Sequence, residues 1–140
     1  MSDRSYGKVI IHSDGCSRRN PGPAAIGATI KDEKGQLLAT ISRSIGTASN
    51  NQAEYLAAIS AVKKAVEVGA RRVDIYMDSE LVVKQVCGDY KVRNAGIKPR
   101  LEELKKLLGS LEGYTITHVP RELNREADRL ANEALDSLPG

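Results

Sequence analysis

The sequence predicts an α/β protein: a mixed β-sheet flanked by helices. Three observations predict it. Residues 8–46 contain three strand-like runs joined by short turn-forming connections. From Ser49 or Asn50 onward the apolar spacing becomes helical, and helices then alternate with strands. No repeat, low-complexity tract or linker interrupts the 140 residues, so a single domain is expected.

In chain order, residues 1–6 read as a flexible tail, and KVIIHS (8–13) as the first strand. Asn20-Pro21-Gly22-Pro23 is strong turn punctuation, followed by a second strand over 25–32. Lys34-Gly35 turns the chain into a third strand over 36–46. Ser49 or Asn50 caps a helix that runs to about Val68 and stops at Gly69, with Leu56, Ile59, Val62 and Val66 as its apolar face. RRVDIYM (71–77) alternates as a strand, and Asp78 or Ser79 caps a short helix ending at Gly88. Pro99 suits the first turn of a helix whose stripe is Leu101, Leu104, Leu108 and Leu111. YTITHV (114–119) is the last strand, and Asn124 caps a final helix with Ala127, Leu130, Ala131, Ala134 and Leu135 inward.

Short connections make the first three strands an antiparallel meander, and later crossovers are expected to be right-handed. The strands preceding Asp14 and Asp78 should then be parallel, with a helix crossing between them. As neighbours they would deliver both carboxylates to the carboxyl edge of the sheet, where open α/β sheets place their sites. Glu54 and Asp128, each in the first turn of a helix, can reach the same edge.

Each acid also has a local reading. Asp78 can cap a helix, Glu54 and Asp128 can complement helix dipoles, and Asp14 can stabilise a turn at Gly15. Four such coincidences converging on one edge favour a shared purpose. Clustered carboxylates repel and take up protons unless cations balance them. Hard oxygen ligands without His or Cys select Mg²⁺ or Mn²⁺, and two such ions suit in-line displacement at phosphorus. His12 and His118 sit within strand patterns and read as structural.

Composition narrows the alternatives. The chain is 41% hydrophobic, enough for a sizeable core, and its formal net charge is +3. Basic residues gather at Arg18–Arg19, Lys91–Arg100 and Arg121–Arg129, a distribution suited to a polyanion lying across an acidic centre. Two cysteines are too few for a disulfide framework or a zinc cage. Cys87 reads as a buried thiol, and Cys16 as bordering the site. With no Trp, no Phe and five Tyr, single-strand binding on aromatic platforms is disfavoured. No apolar stretch approaches a membrane span or a signal h-region; a reduced, cytoplasmic protein that does not bind membrane, and a monomer, is expected.

The strings DGCSRRNPGPAAIG, NNQAEY, DSELVVKQV and VPRELNREADRLANEAL resemble ribonuclease H type 1, over residues 8 to 136, and most resemble the compact archaeal and bacterial branch related to reverse-transcriptase ribonuclease H domains. The resemblance implies a ribonuclease H-like fold with a five-stranded mixed sheet in the order 3-2-1-4-5. It also implies hydrolysis of the RNA strand of RNA/DNA hybrids with two Mg²⁺ ions, replaceable by Mn²⁺, leaving 5′-phosphate and 3′-hydroxyl ends. Double-stranded RNA is a further candidate partner, and a non-cleaving hybrid or double-stranded RNA binding module the alternative function. By the same resemblance, Asp14 and Asp78 are metal ligands shared by both ions, and Glu54 and Asp128 one-sided ligands. Asn20, Asn50, Asn51 and Gln52 match positions that touch the substrate, where amides can read a 2′-hydroxyl as donor or acceptor, and the backbone after Asp14, through Cys16 and Ser17, is placed to reach RNA sugars. Thr47, Ser49 and Asn94 are the nearest matches to a phosphate pocket on the DNA side.

The chain departs from the family pattern twice. The stretch CGDYKVRNAGIKPRLEEL is short and lacks the Trp- and Lys-rich protrusion of some members, which shifts hybrid attraction to Lys91, Arg93 and Lys98. The His-bearing loop that precedes the last carboxylate in many members is reduced to PREL, leaving Arg121 as the candidate for that catalytic role.

Overall fold

The computed structural model describes residues 6–138. Apart from Tyr6, which opens the first strand, the tail expected over residues 1–6 lies outside the described residues. The elements are β1 (Tyr6–Ser17), β2 (Gly22–Asp32), β3 (Leu37–Ala48), α1 (Asn50–Glu67), β4 (Ala70–Met77), α2 (Glu80–Val86), α3 (Lys98–Gly109), β5 (Gly113–His118) and α4 (Arg125–Asp136). A single 3-10 turn, Arg121–Leu123, leads into α4. The sheet order is β3-β2-β1-β4-β5, as the resemblance implied. β1, β2 and β3 pair antiparallel, whereas β4 runs parallel to both β1 and β5.

The first strand is longer than its apolar run. It continues past Asp14, which pairs with Gly27 of β2, so Asp14-Gly15 is strand rather than turn. Polar residues extend β1 because β2 supplies a partner from Val9 through Ser17, information that lies some ten residues downstream.

α1, α2 and α3 cover one face of the sheet, and their apolar side chains join Val9, Ile11, Ala28, Ile30, Val73 and Ile75 in the main core. α4 packs on the opposite face across β1, β2 and β3. Its buried residues are the five expected from the sequence. In α3, Leu104 and Leu108 are buried, while Leu101 is half-buried and Leu111 lies just past the helix end.

The face of α1 differs from expectation. Ile59 and Val62 are buried as anticipated, but Val66 is 45% exposed and Leu56 only half-buried. The buried face is built mainly from Ala53, Ala57, Ala58, Ala61 and Ala65, with Tyr55 among them. Small side chains let the helix axis approach the sheet, so the closest-packed face is not the one carrying the largest aliphatics. Tyr55 donates its buried hydroxyl hydrogen bond to Gln85 Oε1 of α2 at 2.8 Å, tying the two helices together. Cys87, expected to be buried, is exposed, because it is the C-cap residue of α2 and faces away from the core. Among the described residues no helix is long and apolar enough to cross a membrane.

Candidate active site

The register of the parallel pair places the first two acids. The last paired residues are His12 and Tyr76. Two residues further on, β1 carries Asp14 and the chain leaving β4 carries Asp78. Both therefore sit at the carboxyl edge of adjacent central strands.

Two glycines bring in the other two acids. A Cβ on Gly15 would overlap the Ala53 carbonyl and crowd Glu54 N, so only glycine lets the start of α1 lie against β1; because α1 begins at Asn50, Glu54 lies just beyond its first turn rather than within it as expected. A Cβ on Gly27 would overlap the Ala127 carbonyl and crowd Ala131 N, so only glycine lets α4 lie against β2. Gly15 adjoins Asp14, and Gly27 is its cross-strand partner. The two close approaches thus flank Asp14 and lower Glu54 and Asp128 toward it. A glycine inside a strand marks such a close approach, and the string AIGAT carries that mark in the sequence.

Asp14, Glu54, Asp78 and Asp128 line one pocket of about 190 Å³ together with Gly15, Cys16 and Arg121. Asp14 is 7% exposed. Burial, then a hydrogen bond with Asp128 and the charges of Asp78, Asp128 and Glu54, push its carboxyl up to about 9. Burial also pushes Glu54 up to about 7, against a hydrogen bond from Ser79. Both acids lie where the ionised form is disfavoured and where positive charge would restore it. Cys16 borders the site as expected, its thiol pushed up to about 11 by burial and by Asp14 and Asp128.

Protein groups hold the acids individually. Ser79 Oγ donates to Glu54 Oε1 at 3.0 Å, Asn124 Nδ2 to Asp78 Oδ1 at 3.4 Å, and Asn132 Nδ2 to Asp128 Oδ1 at 3.1 Å. Arg121 Nη2 lies 3.6 Å from Asp128 Oδ1 and is, among the described residues, the one cation lining the pocket. Among the described residues no three His, Cys, Asp or Glu side chains are drawn close enough to grip an ion as they stand. In chemical kind the residues fit a hard divalent cation: an all-carboxylate donor set, partly buried, with one arginine against four acids.

Beside the pocket, the start of α1 gathers the expected substrate residues. Ser49 is the N-cap and forms a capping box with Gln52: Gln52 N donates to Ser49 Oγ at 3.1 Å and Ser49 N to Gln52 Oε1 at 3.0 Å. Ser17 N donates to Asn50 Oδ1 at 2.8 Å, and Asn50 N to Asn20 Oδ1 at 3.0 Å. Ser17 is therefore committed to the protein through its N–H, and its hydroxyl donates to Arg19 O at 3.0 Å. Asn51 Oδ1 is buried and has no protein donor. Asn94 folds back through a 2.7 Å hydrogen bond from Gly96 N. A Cβ on Gly96 would lie 3.1 Å from Asn94 Oδ1 and 3.2 Å from Gln52 Nε2, which puts Asn94 beside the Ser49–Gln52 turn. Thr47 is exposed at the end of β3, just before that cap. His12 stacks on Tyr76 with ring centroids 5.2 Å apart, and His118 ends β5 in solvent. Neither lines the pocket.

A meander followed by parallel crossovers, with four acids at the central edge, defines a ribonuclease H-like protein, and comparison with known proteins agrees. A family model described as reverse transcriptase-like matches residues 12–134. Ribonuclease HI of Halobacterium salinarum is 42% identical over 130 residues, 93% of this chain and 65% of that relative. The crystal structure of RNase H1 from the same archaeon superposes with a TM-score of 0.92 at 41% identity, covering 94% of this chain and 100% of that one. LC11-RNase H1 in complex with an RNA/DNA hybrid superposes with a TM-score of 0.87 at 41% identity, covering 91% and 96%. The chain belongs to the ribonuclease H type 1 family. It spans 65% of the length of the Halobacterium relative and 36% of a mycobacterial bifunctional protein that it also matches.

Proposed function

We propose that the protein is an endoribonuclease that hydrolyses the RNA strand of RNA/DNA hybrids, leaving 5′-phosphate and 3′-hydroxyl ends. One observation carries this reading: four carboxylates, from β1, α1, the connection after β4 and α4, line one pocket with a single arginine among its described lining residues. A binding module would gain nothing from so many clustered, partly buried carboxyl groups. The likeness to a relative that is solved with a hybrid supports the choice of substrate.

Asp14, Glu54, Asp78 and Asp128 are the residues that would hold two Mg²⁺ ions, or Mn²⁺ in their place. When bound, such ions activate a water and neutralise charge on the leaving oxygen. The remaining work falls to the chain itself. Arg121, 75% exposed and, among the described residues, ion-paired only with Asp128, can swing its guanidinium onto the scissile phosphate. Asn20 and Asn50 use their oxygens within the protein, so each presents an Nδ2 donor to a sugar. Asn51 and Gln52 extend that edge, and Ser17 contributes only as an acceptor through Oγ. On the DNA side, Thr47, Ser49 and Asn94 form the phosphate pocket, since a hydroxyl that accepts a capping bond still has its own proton to donate. Lys91, Arg93 and Lys98 add attraction for the backbone.

The test is a cleavage assay in Mg²⁺ and in Mn²⁺ on hybrid, double-stranded RNA and double-stranded DNA. Hybrid is expected to be cut and duplex DNA spared, with Asp78→Asn inactive. Hybrid cleavage by purified Asp78→Asn at the parental rate, or tight binding without turnover by the parent, would overturn the reading.

A further inference from the structure

The geometry points to Asn124 as a positioning residue that locks three of the four acid-bearing segments into one arrangement. This inference rests on the reading of the pocket as the hydrolytic site. Asn124 occupies the N-cap position of α4, yet its side chain makes no capping hydrogen bond. It is 1% exposed, rare burial for an asparagine. Its Nδ2 donates to Ser13 O, the carbonyl immediately before Asp14, at 2.9 Å. The same nitrogen donates to Asp78 Oδ1 at 3.4 Å. Its backbone carbonyl accepts from Asp128 N at 3.1 Å.

One residue therefore touches the strand behind Asp14, the carboxylate of Asp78 and the amide of Asp128. The orientation of the amide follows from its surroundings. The Ser13 acceptor is a backbone carbonyl with no hydrogen to give, so the nitrogen must face it and the oxygen cannot. The 2.9 Å bond to the carbonyl is the anchor, and the 3.4 Å bond is a weaker guide to the Asp78 rotamer. An ordinary cap would have turned this side chain back onto its own helix. Here the helix start gives up that bond, and the amide joins β1, the end of β4 and α4 across 111 residues of sequence. Partners of this kind, which hold ligating side chains without ligating, typically set metal affinity and rate.

Two variants separate positioning from packing. Asn124→Ala removes the amide. Asn124→Ser removes its reach but keeps a residue favoured at helix starts, which protects folding. Each is titrated calorimetrically with Mn²⁺ in the absence of nucleic acid, assayed for kcat and KM on hybrid, and melted. The expected result is Mn²⁺ affinity weakened about 10-fold and kcat lowered about 10-fold or more in both variants. KM for hybrid should change by less than about 2-fold, because the substrate-facing residues are untouched. Parental Mn²⁺ affinity and kcat in both variants, with only the melting temperature lowered, would make Asn124 purely structural. A parent that neither binds Mn²⁺ nor cuts hybrid would sink the reading of the pocket and this inference with it. A parent that does both, beside variants that do both, sinks this inference alone.

Discussion

Asp14 is the most perturbed group in the pocket. It is buried, shares a hydrogen bond with Asp128 and faces the charges of Asp78 and Glu54. Its folded-state value of about 9 lies above its ordinary 3.8, so the native state binds this proton more tightly than the unfolded chain. The stabilising contribution is therefore complete below about pH 4 and is lost as pH rises through about 9. In EDTA, the melting temperature should fall as pH rises from about 5 to about 9, and Asp14→Asn should flatten that dependence. Differential scanning calorimetry at several pH values checks it, and an equally steep profile in the variant contradicts it. The same substitution should abolish hybrid cleavage, exceeding the roughly 100-fold loss typical of residues that only support ligands. It should nonetheless match or exceed the parent in metal-free stability. Arg121 is the second test at this scale. Arg121→Ala should lower kcat by about 10-fold to 100-fold with an intact fold, as when a charge-assisted hydrogen bond to a phosphate is removed; an unchanged kcat would reduce Arg121 to a surface partner of Asp128.

At the level of elements, the site depends on how closely two helices approach one strand pair. Gly15 and Gly27 decide this, because each leaves room for a helix backbone that a methyl group would displace. Gly27→Ala should push α4 away from β2 and destabilise the fold by about 3 kcal/mol, the upper range for overpacking. Urea unfolding measures this directly, and a variant within a few tenths of the parent would show that α4 yields without cost. Any surviving folded fraction should cut hybrid poorly, since Asp128 rides on the displaced helix. Ser49 matters in a different way. Its capping box with Gln52 starts α1 at Asn50 and so sets the position of Glu54 near the helix start. The string SNNQ made this boundary readable in the sequence as far as two adjacent residues; the folded structure selects Ser49. At α4 the cap pattern misleads, because the asparagine that matches it is occupied with a carbonyl from a distant strand. Capping propensity is local, and it cannot register a distant carbonyl, brought near by the sheet, that takes the amide's N–H.

At the scale of the whole molecule, the hybrid proposed as substrate would be drawn to the pocket by charge. Several arginines are already paired: Arg18 with Asp136, Arg129 with Glu133 and Arg100 with Glu103. The stretch between α2 and α3 carries Lys91 and Arg93, and α3 opens with Lys98, all exposed and close in sequence to Asn94. Hybrid affinity should therefore weaken steeply with salt. Replacing all three by Ala should reduce the slope of log affinity against log salt by about one for each phosphate that is no longer neutralised. Binding measured on a catalytically inactive background over a range of KCl concentrations tests this. An unchanged slope would mean that the hybrid does not cross this stretch.

By itself the sequence determined the order and type of the elements and the four acids of the pocket. Each strand and helix has its own period and punctuation, and each acid sits in a distinctive short string. The tertiary structure decided what depends on the meeting of distant segments. It extended β1 past Asp14 because β2 lies alongside, and it turned α1 onto its alanine face because close packing favours small side chains. It left Cys87 in solvent at the end of α2. It also set the distances among the acids, through glycines that admit two helices and an asparagine that bridges three segments. Periodicity along a chain reports which face of an element is apolar; only packing reports how near that face comes to its neighbour and which polar atoms meet there.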